Sequence, residues 1–89
     1  MHESRETIIE FPCEFPVKVM GRADPDFVLR VTEIVREHAP DLRDRDISTA
    51  ASRRGNYVSV TVTLTAHSQH QLDQVYLALN ADDQVLMTL

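Results

Sequence analysis

Cysteine is almost missing from this chain: Cys13 stands alone among 89 residues. A single thiol forms no internal disulfide, so the expected setting is a reducing cytoplasm. Long apolar runs are missing too, and nothing approaches the roughly 20 residues that a membrane span requires. The opening stretch, "MHESRETIIE", lacks the basic start and apolar centre of a secretory leader, so none is expected. Basic residues are outnumbered, 9 Lys and Arg against 14 Asp and Glu, for a formal charge of −5. Such a balance argues against general nucleic-acid binding, whose affinity comes largely from neutralising phosphates with cations. It argues equally against docking on anionic lipid.

What remains is an ordinary globular composition, 43% apolar and 26% charged, of a length for one domain and not two. A core this small leaves little stability in reserve, which favours a partner or self-association. Residues 1–14 read as an N-terminal arm whose Ile8, Ile9 and Phe11 can pack without forming a long element. From Phe15 the pattern changes. Phe15, Val17 and Val19 alternate with Pro16, Lys18 and Met20, the period of a strand with one buried face, and Gly21 ends it.

"ADPDFVLRVTEIVREHAP" reads as a helix. Asp24 is placed to cap it and Pro25 to occupy its first position. Phe27, Val31, Ile34, Val35 and His38 recur on one face, and Pro40 ends the helix. Ile47 to Arg53 is a weaker strand of small and polar residues. Gly55-Asn56 is the expected hairpin turn, because glycine accepts positive φ. The strongest alternation follows, with Val58, Val60, Val62 and Leu64 on one side and Tyr57, Ser59, Thr61, Thr63 and Thr65 on the other. Ser68 and Gln71 have capping-box spacing ahead of a second helix whose apolar stripe is Leu72, Val75, Tyr76 and Leu79. Asn80 stops it, Asp82-Asp83 turn the chain, and "QVLMTL" closes as a short strand.

Strand, helix, strand, strand, helix, strand is an α+β order. Residues 15–89 are therefore expected to form one ferredoxin-like βαββαβ sandwich, a four-stranded antiparallel sheet with two helices on one face. Right-handed crossovers place the first and third strands at its centre. Four stretches, "EFPCEFPVKVMG", "REHAP", "SRRGNYVSVTVT" and "QVYLALNADDQVLMTL", resemble the YbeD family, small bacterial proteins of unassigned biochemical function. The resemblance spans about Glu10 to Leu89. It implies a fold similar to the ACT-type regulatory domains and carries a label linking the family to regulation of lipoate metabolism. It brings no catalytic residues.

Three places invite a site. Lys18 and Met20 share the outward sheet face with Tyr57, Ser59 and Thr61; a wet face is the simpler reading, a dimer or partner surface the sharper one. Arg53 and Arg54, beside Asn56, carry forked donors suited to carboxylate or phosphate, although charged tips also discourage strand pairing between molecules. In the loop "GRADPDF", Gly21, Arg22, Asp24 and Pro25 resemble the carboxylate-binding turn of ACT domains. Asp26, however, stands where those binders carry glycine, and its charge opposes an anion.

Enzyme chemistry finds little footing. Cys13 has no base near it in sequence, and His67 and His70 lack further ligands at metal spacing. His38 suits the last carbonyls of the first helix. An acylphosphatase-type arginine loop, the paired cysteines of a metal chaperone and the paired aromatics of an RNA-recognition sheet are all absent. The expectation is a regulatory or adaptor domain without cofactor or metal, and not an enzyme. It would act through a protein partner or a second copy at Lys18, Gly21, Arg22, Arg53, Arg54, Asn56, Tyr57 and Ser59. The alternative is a sensor of a small carboxylate metabolite near Gly21 to Asp24.

Overall fold

A computed structural model describes residues 10–89; Met1 to Ile9, most of the expected arm, lie outside the described residues. Strand β1 spans Cys13–Arg22, two residues earlier at its start than the alternation from Phe15 suggests. Helix α1 spans Phe27–Arg36, β2 Ile47–Ala51, β3 Tyr57–Ala66, α2 Gln69–Asn80 and β4 Val85–Thr88. The sheet order is β2-β3-β1-β4 with every neighbour antiparallel. That is the expected ferredoxin-like arrangement, with β1 and β3 central.

Alternation decides which face is buried. Val17 and Val19 of β1 and Val60, Val62, Leu64 and Ala66 of β3 point to the helices and are fully buried. Phe27, Val31 and Val35 from α1 and Leu72, Val75 and Leu79 from α2 close over them. Thr32 joins this layer where Ile34 was expected, and Ile34 is only half-buried. Burial of a hydroxyl is tolerated because Thr32 Oγ1 donates to the Val28 carbonyl at 2.8 Å.

The helix starts differ in how they are held. Asp24 Oδ1 accepts the Asp26 amide at 2.8 Å, while the Asp24 carbonyl accepts that of Phe27 at 3.0 Å. These bonds tighten Pro25-Asp26 into a turn, so the regular helix begins at Phe27 and Asp26 sits at the cap position. Ser68 caps α2 as expected, its Oγ accepting the Gln71 amide at 3.0 Å. Gln71 does not reciprocate to Ser68. Its Oε1 accepts from the His67 amide at 2.7 Å, and its Nε2 donates to the His38 carbonyl at 2.8 Å. One side chain thus joins the start of α2 to the end of α1, and His38 takes part through its own carbonyl.

The hairpin between β2 and β3 corrects the expected turn. Its closing bond runs from the Gly55 amide to the Ser52 carbonyl at 3.0 Å, so Arg53 and Arg54 occupy the central positions. Gly55 follows them with φ +76°, a left-handed conformation that side chains disfavour. Ser52 and Tyr57 pair backbone to backbone across the base, and Ser52 Oγ also accepts the Tyr57 amide. Four residues therefore make the loop, not two.

Candidate functional site

Antiparallel register gathers most of the residues singled out in the sequence onto the sheet face away from the helices. Lys18 lies opposite Thr61, Met20 opposite Ser59 and Arg22 opposite Tyr57. The Arg22 guanidinium stands 6.0 Å from the Tyr57 ring centroid, at the outer reach of a cation–π contact. Asn56 reaches this group through its backbone, its carbonyl accepting the Ala23 amide at 3.0 Å. That bond ties the β1–α1 loop to the hairpin carrying Arg53 and Arg54. Ser59 Oγ donates to the Ala50 carbonyl at 3.4 Å, which fastens β3 to β2.

Strand β4 adds what sequence reasoning missed. Met87 pairs with Met20, and Leu89 exchanges backbone hydrogen bonds with Lys18. Directly opposed residues share a face, so both side chains join the open surface. Met87 is 51% exposed, Leu89 64% and Tyr57 42%. The face is therefore not merely hydroxyl-rich. An apolar group of Met20, Tyr57, Met87 and Leu89 sits among Ser59, Thr61 and Ala50, with Lys18 and Arg22 beside it and the Arg53-Arg54 tip at one end. Glu14, opposite Thr65, lies towards the other end. Among the described residues, Lys18, Arg22, Arg53 and Arg54 make no ion pair. The signal that would have found Met87 and Leu89 was the ferredoxin-like order itself, which seats β4 against β1.

Gly21 answers to a packing constraint. It is buried, and a Cβ there would meet Cε1 and Cζ of Phe27 and lie 2.7 Å from the Gln84 carbonyl. Packing alone is thus enough to require glycine at this position. Beside it, a cavity of about 200 Å³ is lined by Arg22, Asp24, Phe27, Asp83, Gln84 and Leu86. Arg22 and Asp24 were expected there; the α2–β4 turn supplies the other side. Asp82 holds that turn. Burial alone would raise its pKa, but the Gln84 amide and the Arg30 guanidinium donate to its carboxylate, leaving it below the ordinary value.

Other ionisable groups serve the frame. The Arg43 backbone amide and side chain hold Asp46 below the usual carboxylate range in the 3-10 turn over Asp44–Asp46. Desolvation pushes Tyr76 upward, and its hydroxyl donates to the Leu89 carbonyl at 3.3 Å. Among the described residues no three of His, Cys, Asp and Glu gather into a metal-holding group. No described helix is long and apolar enough to cross a membrane.

Comparison with known proteins agrees with this architecture. A solution structure of protein HP0495 from H. pylori superposes with a TM-score of 0.74 at 16% identity, covering 98% of this chain and 91% of that one. At that identity the likeness establishes the fold alone. In sequence, the chain is 44% identical to a UPF0250 protein of Chromobacterium violaceum over the full length of both. It is 45% identical to one of Neisseria gonorrhoeae, over 98% of this chain and 96% of the relative. A third, from Nitrosomonas europaea, is 42% identical over 97% and 99%. The family model described as "Protein of unknown function (DUF493)" matches residues 6–89. The chain, as the resemblance to YbeD proteins anticipates, is thus a member of the DUF493 (UPF0250) family.

Proposed function

We propose that this chain is a small regulatory or adaptor domain that captures a protein partner on the open face of its sheet. One observation carries the reading: exposed Tyr57, Met87 and Leu89 lie together with Met20 inside a largely basic border, on a protein whose formal charge is −5. The chemistry that fits is a segment with apolar anchors and acidic flanks, since complementary charge steers encounter and fixes register. The family resemblance directs the search for the partner to lipoate metabolism.

The test is a pair of synthetic peptides of equal apolar content, one acidic and one with its charges reversed, titrated into isotopically labelled protein. The acidic peptide should shift resonances of Lys18, Met20, Tyr57, Ser59 and Met87 in a salt-sensitive way; its charge-reversed twin should not. Equal responses to both peptides, or shifts confined to the helix side, overturn the assignment.

A second reading rests on the cavity beside Gly21. Arg22 suits a carboxylate, but Asp24 and Asp83 line the same space, so the ligand would need a cation as well, as a free amino acid has. A saturable thermal shift with an amino acid, lost in Arg22→Ala, would move the assignment from adaptor to sensor.

A further inference from the structure

Among the described residues the sheet has three stretches of edge without a strand beside them, and two are guarded. Along the β4 side of β1, the even-numbered residues turn their backbone groups outward, as Lys18 does toward Leu89. Pro16 falls on that unpaired stretch and removes a donor from it. Strand β4 is short, and its register shifts opposite Met20/Gly21, leaving Leu86 as an extra residue. Bulges and prolines are the usual means of spoiling an edge.

Strand β2 has neither. Its residues, Ile47, Ser48, Thr49, Ala50 and Ala51, carry no charge, proline or bulge. The Ser52 amide donates to the Tyr57 carbonyl, so alternation turns Ser48 and Ala50 toward β3 as well and Ile47, Thr49 and Ala51 outward. Beside this edge, on the helix side, runs an open groove of about 470 Å³ between α1 and β2, walled by Pro25, Val28, Leu29, Ile47 and Thr49 together with the Arg36–Asp44 ion pair. Leu29 is 58% exposed there.

We propose that β2 pairs with β2 of a second copy, antiparallel about a two-fold axis at Thr49, to make a continuous eight-stranded sheet. The register is self-complementary: Thr49 faces Thr49 of the partner copy, and Ile47 faces Ala51, so every outward backbone group meets another. Sliding by one residue would set outward groups against groups already bonded to β3 and turn the side chains to the wrong face. Beyond the strand ends the same axis brings Asp44, an exposed carboxylate that already accepts from Arg36 at 2.9 Å within its own chain, toward Arg54 of the other copy. The two grooves then face each other, and Leu29 of each is covered. Both open sheet faces remain free and lie on one side, so this pairing and the partner surface above stand or fall separately.

Sedimentation of the whole chain from micromolar to millimolar concentration tests the pairing. The expected mass rises to twice 10.1 kDa, and Thr49→Pro returns it to the monomer with an unchanged far-ultraviolet circular dichroism spectrum. Proline is tolerated there because the lost amide faces outward. Asp44→Arg and Arg54→Asp should each weaken association roughly tenfold, since the axis makes each change twice, and together restore it. If Thr49→Pro fails to fold, hydrogen exchange of the unaltered protein decides: Ile47, Thr49 and Ala51 amides must gain protection as concentration rises. A protein that stays monomeric throughout, or a dimer that survives Thr49→Pro, overturns the proposal. So does protection of these amides only when other proteins are added, which would make β2 the acceptor of a foreign strand.

Discussion

The two faces of the central strands are built from the same alternation and answer to different demands. On the helix side Val17, Val19, Val60, Val62 and Leu64 are sealed from water, and each contributes to stability in proportion to the apolar surface it hides. On the other side Tyr57, Met87 and Leu89 remain exposed beside threonines and cations. They hide less than the core residues do, so folding places fewer demands on their identity. A residue's neighbour in sequence therefore belongs to a different problem: Val60 to the core, Ser59 and Thr61 to the surface. What folding leaves unexplained on the outer face is where a working surface is to be sought.

Substitutions can sharpen or break this contrast. The largest expected effect is on the sealed face: Leu64→Ala should cost about 2–5 kcal/mol in urea unfolding, from lost burial and the cavity left behind. Gly21→Ala should cost about 1–3 kcal/mol, because its methyl group must displace the Phe27 ring or the Gln84 carbonyl. That variant also separates packing from ligand binding, since the loss should appear without any ligand present. Asp82→Asn comes next, at about 1–2 kcal/mol at neutral pH, for the weakened contacts with Arg30 and the Gln84 amide. Its folded pKa lies below the unfolded value, so the stabilisation is complete above the unfolded carboxylate pKa of about 3.9 and is lost as pH falls through the folded one. Unfolding at neutral and acid pH should show the variant and the parent converging in acid. Smallest is the open face: Met87→Ser or Tyr57→Ser should stay within about 0.5 kcal/mol of the parent while abolishing the response to an acidic peptide. A core-sized loss of stability at Met87 would erase the distinction between the faces.

How much of this was legible beforehand follows the range of the interactions. The alternation from Val58 to Leu64 and the Ser68 cap are local, and both were readable from neighbouring residues. Gly21 was not, because its constraint comes from Phe27 and from Gln84, which only the folded sheet brings to it. The hairpin was misread by two residues because Gly55-Asn56 looks like a turn pair, whereas glycine's tolerance of positive φ serves equally well just after Arg53-Arg54. Of the candidate site, Lys18, Arg22, Tyr57 and Ser59 could be placed together by strand parity. The ferredoxin-like order seats Met87 and Leu89 beside β1, but the short ending "QVLMTL" does not announce which face each will show.

Gln71 carries a consequence of another kind. Its amide gives and receives at once, accepting from His67 and donating to the His38 carbonyl. Glutamate has nearly the same shape but, when ionised, can only receive, so it would meet the His38 oxygen with an oxygen. Asparagine has the right chemistry and too little reach. The seam between the two helices thus reads polarity and length together, and a single deamidation there would act as a lesion that leaves the outline of the side chain untouched.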